Sequence, residues 1–221
     1  MTAARAQLET LLRARKLDVT LTSAAPWAAR DAAPTGIAQI DDALGGGLAR
    51  GHLSEIVGSR SSGRTSVICR ILAAAAERGE AVALIDTCDR FDPACAEAAG
   101  VDLSTLLWVR DTGDAARALK AMNLVLQAGG FGIVAFDLAD VHAMAVRQFP
   151  YTTWMRIARV IEGSQTAAVI VGADRIARSP GGATIALGAP ATGARGRWSG
   201  ATDRARLLRG VDIQPRIVGA R

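Results

Sequence analysis

Long apolar runs, lysines and paired metal ligands are scarce in this chain. No apolar stretch reaches the roughly 18 to 20 residues that a membrane helix needs, and the first thirty residues lack the apolar centre of a signal peptide. A soluble cytoplasmic protein without a membrane partner is therefore expected. Cys69, Cys88 and Cys95 are odd in number and lack metal-site spacing, so they read as reduced thiols in a reducing compartment, with small buried hydrophobes as their plainest role. His52 and His142 are isolated, with no partner at zinc-ligand spacing and no neighbouring nucleophile. Neither a metal site nor a nucleophilic centre is expected. Lys16 and Lys120 are the only lysines, so arginine carries nearly all the positive charge.

What is present describes a packed globule. The 221 residues are 50% hydrophobic and 21% charged, enough for one α/β domain with a large core and a short arm at one end. The net charge of +5 is unevenly placed, because Gly172 to Arg221 holds nine arginines against three aspartates and the remainder of the chain sums to −1. Such a basic segment either faces nucleic acid or an acidic partner, or is simply a solvated arginine face.

The chain is organised around Gly58-Ser59-Arg60-Ser61-Ser62-Gly63-Arg64-Thr65, which fits the phosphate-cradling pattern G-x-x-x-x-G-K-[ST] except that Arg64 stands where lysine is required. Before it, Leu53 to Val57 reads as a strand; after it, Val67 to Ala76 reads as a helix. Strand, glycine turn and helix together gather backbone N–H groups at a helix N-terminus, where anions bind.

In chain order, Thr2 to Lys16 has the leucine spacing of an amphipathic helix, Leu17 to Leu21 suits a short extended piece, and Ser23 to Pro34, with Trp27 between two prolines, suits a linker or docking arm. Thr35 to Gly51 predicts a short helix closed by Gly45-Gly46-Gly47. Strands are expected at 81–86, 106–109, 131–136 (ending in Asp137) and 167–171, and helices at 92–99, 114–128 and 151–162. This alternation implies right-handed crossovers and a mostly parallel sheet with helices on both faces. After Gly172, Ala183 to Leu187 and Arg206 to Val218 read as antiparallel edge strands around a glycine-rich loop from Gly188 to Gly200. Two parts follow: residues 1–34 as helix and arm, and 35–221 as an α/β core with a basic segment from about 172.

The run Thr35-Gly36 … Ile40-Asp41 … Ala43-Leu44-Gly45-Gly46-Gly47-Leu48 … Gly51 … Glu55-Ile56, then Gly58 … Ser61-Ser62-Gly63-Arg64-Thr65, then Leu84-Ile85-Asp86 … Asp92-Pro93 … Gly100-Val101-Asp102, resembles the ATPase core of RecA-type recombinases. The match extends from about Thr35 to Asp140. With its reduced N-terminal region, no domain expected after the core, and a basic Leu207-Leu208-Arg209-Gly210 stretch, the chain looks like the ImuA family. That resemblance implies a role in inducible mutagenesis and translesion DNA synthesis, with RecA, a Y-family-like protein and an error-prone C-family polymerase as partners.

The resemblance also assigns positions. Arg64 replaces the lysine that reaches the β and γ phosphates; its planar fork is no substitute for a compact ammonium, and a misplaced charged hydrogen bond of about 1.5–3 kcal/mol weakens binding about 10- to 150-fold. Thr65 offers the hydroxyl for Mg²⁺ and Asp137 the carboxylate behind it, so a degenerate nucleotide site of Gly58, Ser61, Ser62, Gly63, Arg64, Thr65 and Asp137 is expected, with no cofactor required and only weak ATP or ADP binding with Mg²⁺. Cys88 falls where the water-activating glutamate belongs, with Asp89 a poor substitute, and Ala173-Asp174 falls where a glutamine senses the γ-phosphate. No catalytic residue is assigned, and efficient ATP turnover is not expected. The loop and strands carrying Arg195, Arg197, Trp198, Arg204, Arg206 and Arg209 are the expected contact with single-stranded DNA or a protein partner. An accessory or adaptor role follows; a slow DNA-stimulated ATPase that remodels RecA filaments is the alternative, and a cell-division regulator a third.

Overall fold

The computed structural model describes residues 31–178, 181–188 and 195–220. The expected helix at 2–16, the extended piece at 17–21 and most of the arm with Trp27 lie outside the described residues.

The first described elements are short. β1 (Ala32–Ala33) pairs antiparallel with β2 (Leu48–Ala49), and between them α1 (Ala38–Leu44) ends on Gly45 in the left-handed conformation, as the triple glycine predicts. The Asp41 carboxylate folds back over the start of this segment, accepting from Thr35 N–H at 2.8 Å, Thr35 Oγ1 at 2.7 Å and Gly36 N–H at 3.1 Å.

The core then alternates. β3 (Leu53–Gly58) leads into α2 (Arg64–Glu77), β4 (Val82–Asp86) into α3 (Pro93–Ala98), and β5 (Leu106–Arg110) into α4 (Ala115–Ala128). β6 (Ile133–Asp137) is followed by the short α5 (Ala143–Arg147) and by α6 (Tyr151–Ile161), and then come β7 (Ala167–Gly172) and β8 (Ala183–Leu187). The caps explain two helix starts: Asp92 accepts from Ala94 N–H and Cys95 N–H at α3, and Asp114 accepts from Ala116 N–H and Arg117 N–H at α4. Apart from α5, and from α2, which starts at Arg64 rather than at the expected Val67, each of these elements was legible to within two residues.

Seven strands form one sheet in the order β11-β8-β3-β7-β6-β4-β5, with β11 (Pro215–Ala220) at the edge, antiparallel to β8, and every other pairing parallel. β3, β4, β6 and β7 are buried along nearly their whole length; β4, β6 and β7 read as nearly continuous apolar runs, whereas β3 is interrupted by Ser54 and Glu55. One apolar layer gathers α2 with Ile56, Leu84, Ala135 and Val169; the opposite layer gathers α4 and α6 with Ala83, Ile85, Phe136 and Ile170. Helices thus cover both faces, as expected of this α/β pattern.

The C-terminal region refines the reading. Ala183–Leu187 is an interior strand, held between β3 and β11, rather than an edge; its burial on both sides allows this. Arg206–Val218 is divided by the turn at Ile213-Gln214 into β10 (Leu207–Asp212) and β11, and the expected loop at 188–200 contains β9 (Arg195–Ser199), which pairs with β10 in a separate antiparallel hairpin. Alternation weakened by glycine and arginine hid these boundaries.

Candidate nucleotide cradle and its surroundings

β3 delivers the chain into the loop 58–63 at the carboxyl end of the sheet, next to β7 and β8. Two glycines fix its path. A β-carbon on Gly58 would lie 2.5 Å from Ser62 Oγ and 2.7 Å from the Leu187 carbonyl oxygen, while Gly63 has φ +94° and begins α2 as its N-cap. No side chain caps α2, so its first N–H groups remain directed at the loop, the arrangement that receives an anion.

Arg64 is the first residue of α2 and is 93% buried. Its Nη1 and the Oγ of Ser62 are fully enclosed and have no hydrogen-bond partner. Two buried donors left open in the same turn is the state expected of a site shaped for phosphate oxygens. The exposed Thr65 follows on the first turn of α2.

Asp137 ends β6 and faces Asp86 across the parallel β4–β6 register. Burial pushes its carboxyl up to about 6; the Asp86 and Asp140 charges push the same way, while the Ala139 N–H, which donates to it at 2.8 Å, and the Arg64 guanidinium oppose them. Asp86 is otherwise engaged, accepting from Arg90 N–H at 3.0 Å, Phe91 N–H at 2.8 Å and the Trp108 indole at 3.3 Å. Thr65 and Asp137 fit the roles of metal hydroxyl and supporting carboxyl, and the two open donors fit phosphate.

The positions that the resemblance assigns to water activation and γ-phosphate sensing hold Cys88, with Asp89 beside it, and Asp174. The half-buried Cys88 has its thiol pKa raised by burial and by Asp140, Asp137 and Asp86, so it stays a neutral thiol. Asp89 sits in a turn with φ +55°, its carboxylate clamped by Arg110 through Nε at 2.8 Å and Nη2 at 2.7 Å, and Arg110 stacks over Trp108 at 4.6 Å. Asp174 is exposed and lies 3.9 Å from Arg147. Of the remaining thiols, Cys69 is pushed to about 11 by burial, then by Cys95 and Asp137. The three cysteines are free, and no cluster of three potential metal ligands occurs among the described residues. His52 Nδ1 lies 2.8 Å from the Arg50 carbonyl, and His142 caps α5.

Of the basic residues, the structure brings Arg197, Trp198, Arg204 and Arg206 together around the β9–β10 hairpin, with Arg195 in β9 and Arg209 in β10. Trp198 is 54% exposed, Arg206 lies 5.6 Å over its ring, and Arg197 pairs with Asp212 at 3.2 Å. Among the described residues the C-terminal arginines are spread over several elements, since Arg175 and Arg178 belong to the loop after β7 and Arg216 to β11.

Two residues escaped sequence reasoning. Ile213, in the turn before β11, reaches the cradle: a β-carbon on Gly63 would lie 2.6 Å from its Cδ1. Glu55, buried in the middle of β3, accepts from Ile176 N–H and Ala177 N–H at 2.7 Å each and from Arg178 N–H at 3.2 Å. A glutamate inside an otherwise apolar strand was the signal that could have found it.

Comparison with known proteins agrees with this architecture. A stretch of 109 residues is 39% identical to Protein RecA of Methylococcus capsulatus, covering 48% of this chain and 31% of that one, and 106 residues are 41% identical to Protein RecA of Saccharopolyspora erythraea, covering 47% and 30%. The matched region is thus less than a third of those relatives' length. The crystal structure of the RadB recombinase superposes with a TM-score of 0.52 at 16% identity, covering 70% of this chain and 82% of that one, a likeness of fold. The RecA N-terminal domain model matches residues 19–148, more than half of the sequence, and the chain belongs to that family.

Proposed function

We propose that this protein is a RecA-like accessory factor of the ImuA type, an adaptor in DNA-damage-induced mutagenesis that docks on RecA or on the translesion polymerase assembly and turns over little or no ATP. The observation that carries this reading is the site itself: the cradle keeps its glycines, its uncapped helix and its open donors, whereas a neutral Cys88 and a clamped Asp89 occupy the region where water would have to be activated. Loss of a general base alone costs about 10²- to 10⁴-fold in rate. The ImuA resemblance supplies the partners: RecA, a Y-family-like protein and an error-prone C-family polymerase. The hairpin with Trp198 and its arginines is a candidate surface for one of them or for single-stranded DNA.

The test has two arms. Pull-down against RecA and the polymerase subunits, with the full chain and with residues 1–34 removed, should retain a specific partner. ATP, Mg²⁺ and single-stranded DNA should yield no multiple turnover above a protein-free control; turnover abolished by Arg64→Ala would overturn the adaptor reading. One observation favours the second reading, a slow DNA-stimulated ATPase that remodels RecA filaments: Ser62 Oγ and Arg64 Nη1 are buried donors without partners, as a site still used for phosphate would have them.

A further inference from the structure

A groove opens beyond the cradle, where β6 and β7 end. A cavity of about 300 Å³ is lined by Leu138, Val141, Val146 and Ile176 with Arg147 and Arg175, and a neighbouring hollow of about 530 Å³ shares Val146, Arg147, Arg175 and Ile176 and adds Phe149, Trp154, Tyr151 and Arg178. Three arginines and one aspartate, Asp174, form its rim, a surplus of two positive charges over an apolar floor. Asp174 neutralises little, because it meets Arg147 only at 3.9 Å and both side chains are mostly in solvent.

The rim on the β7 side is built, not merely exposed. Glu55 reaches from the buried β3 and takes the backbone N–H groups of Ile176, Ala177 and Arg178, while Ser54 Oγ accepts from Ala183 N–H at 3.1 Å where the chain re-enters the sheet. The left-handed Arg178 (φ +44°) is stabilised by this capture. Ile176 and Arg178 are thereby fixed relative to the strand that also carries the cradle.

We propose that this groove binds an acidic peptide segment bearing a large apolar anchor, such as a leucine or phenylalanine flanked by aspartates and glutamates. Charge complementarity selects the acid, since guanidinium groups pair carboxylates in bidentate fashion. The apolar floor selects a side-chain anchor over a phosphodiester chain: the half-buried Val146, Ile176 and Phe149 give an apolar bed with the half-exposed Tyr151 at its margin, whereas sequence-independent strand binding relies on successive stacking platforms. This deepens the adaptor reading and rests on it, because it names where, and with what chemistry, a protein partner is held.

The full-length protein would be titrated by fluorescence anisotropy with a labelled peptide of glutamates and aspartates around a leucine-phenylalanine pair, and in parallel with an oligothymidylate of equal charge. Saturable peptide binding is expected, weakened about tenfold or more by Arg147→Glu with Arg178→Glu. Both are surface positions, and circular dichroism checks that the fold is intact. A peptide with lysines in place of the acids should bind the reversed variant better than the wild type. Absence of peptide binding, equal binding by the variant, or tighter binding of the oligonucleotide with displacement of the peptide would each overturn the proposal. Pull-down separates this from the broader reading: if the variant still captures RecA or polymerase, the adaptor stands and the groove fails.

Discussion

Two buried polar arrangements lie along β3 and the turn that follows it, Glu55 within the strand and Ser62 with Arg64 seven and nine residues later, and they differ in completeness. At Glu55 the carboxylate oxygens are matched by three backbone N–H groups and approached by Thr184 Oγ1 at 3.4 Å. At the cradle, Ser62 Oγ and Arg64 Nη1 are just as enclosed yet have nothing to bond. A satisfied network fixes structure; an open one retains free energy for something that arrives. The strand therefore ends in a rigid support on one side and a receptive turn on the other.

The largest test of that contrast is Glu55→Ala, which strands three N–H donors. A loss of about 3 kcal/mol or more in urea-melt stability is expected, and Glu55→Gln should cost less because one oxygen remains. If Glu55→Ala melts like the wild type, the support is not what holds the loop at 176–178. Asp137→Asn should act oppositely. Its carboxyl is pushed up to about 6 by burial, so the folded state binds the proton more tightly than the unfolded chain and stability falls as pH rises from about 4 through 6. The amide removes that dependence and should add about 1–3 kcal/mol at pH 7, measured by thermal melts across pH.

A smaller effect is expected at Ile213, where truncation to Ala removes half-buried apolar contact over Gly63. We expect a stability loss of about 1–2 kcal/mol, with a change in fluorescent ADP affinity reporting that the turn borders the cradle. Smallest in stability but sharpest in meaning is Arg64→Lys. It should raise Mg-ADP affinity by about tenfold while leaving turnover undetectable, since Cys88 and Asp89 are unchanged. Turnover restored by this single exchange would show that the lysine alone had been missing.

Much of the architecture was legible. Apolar runs located β4, β6 and β7, and β3 despite Ser54 and Glu55, caps at Asp92 and Asp114 marked helix starts, and the glycine pattern placed the cradle within the loop that the structure shows. The region after Gly172 was less so, because strands that mix glycine and arginine carry little periodicity, and β9 was hidden in what read as loop. The short α5 escaped for a related reason, five residues being too few to show a helical repeat. Within the site, residue identities were readable and their engagement was not: Asp89 is excluded by its clamp with Arg110, which lies 21 positions away in sequence.

The sequence by itself determined the alternating α/β plan, the glycine turn, the exchange of lysine for Arg64 and the thiol at Cys88, because these are local or periodic properties of the chain. Only the tertiary structure decided that Arg64 is buried with an open donor, that Asp137 lies against Asp86, that Ile213 reaches Gly63 and that Glu55 holds the loop at 176–178. Those are contacts between residues distant in sequence, and burial and partnership, which set the free energy of a polar group, exist only after the sheet has brought them together.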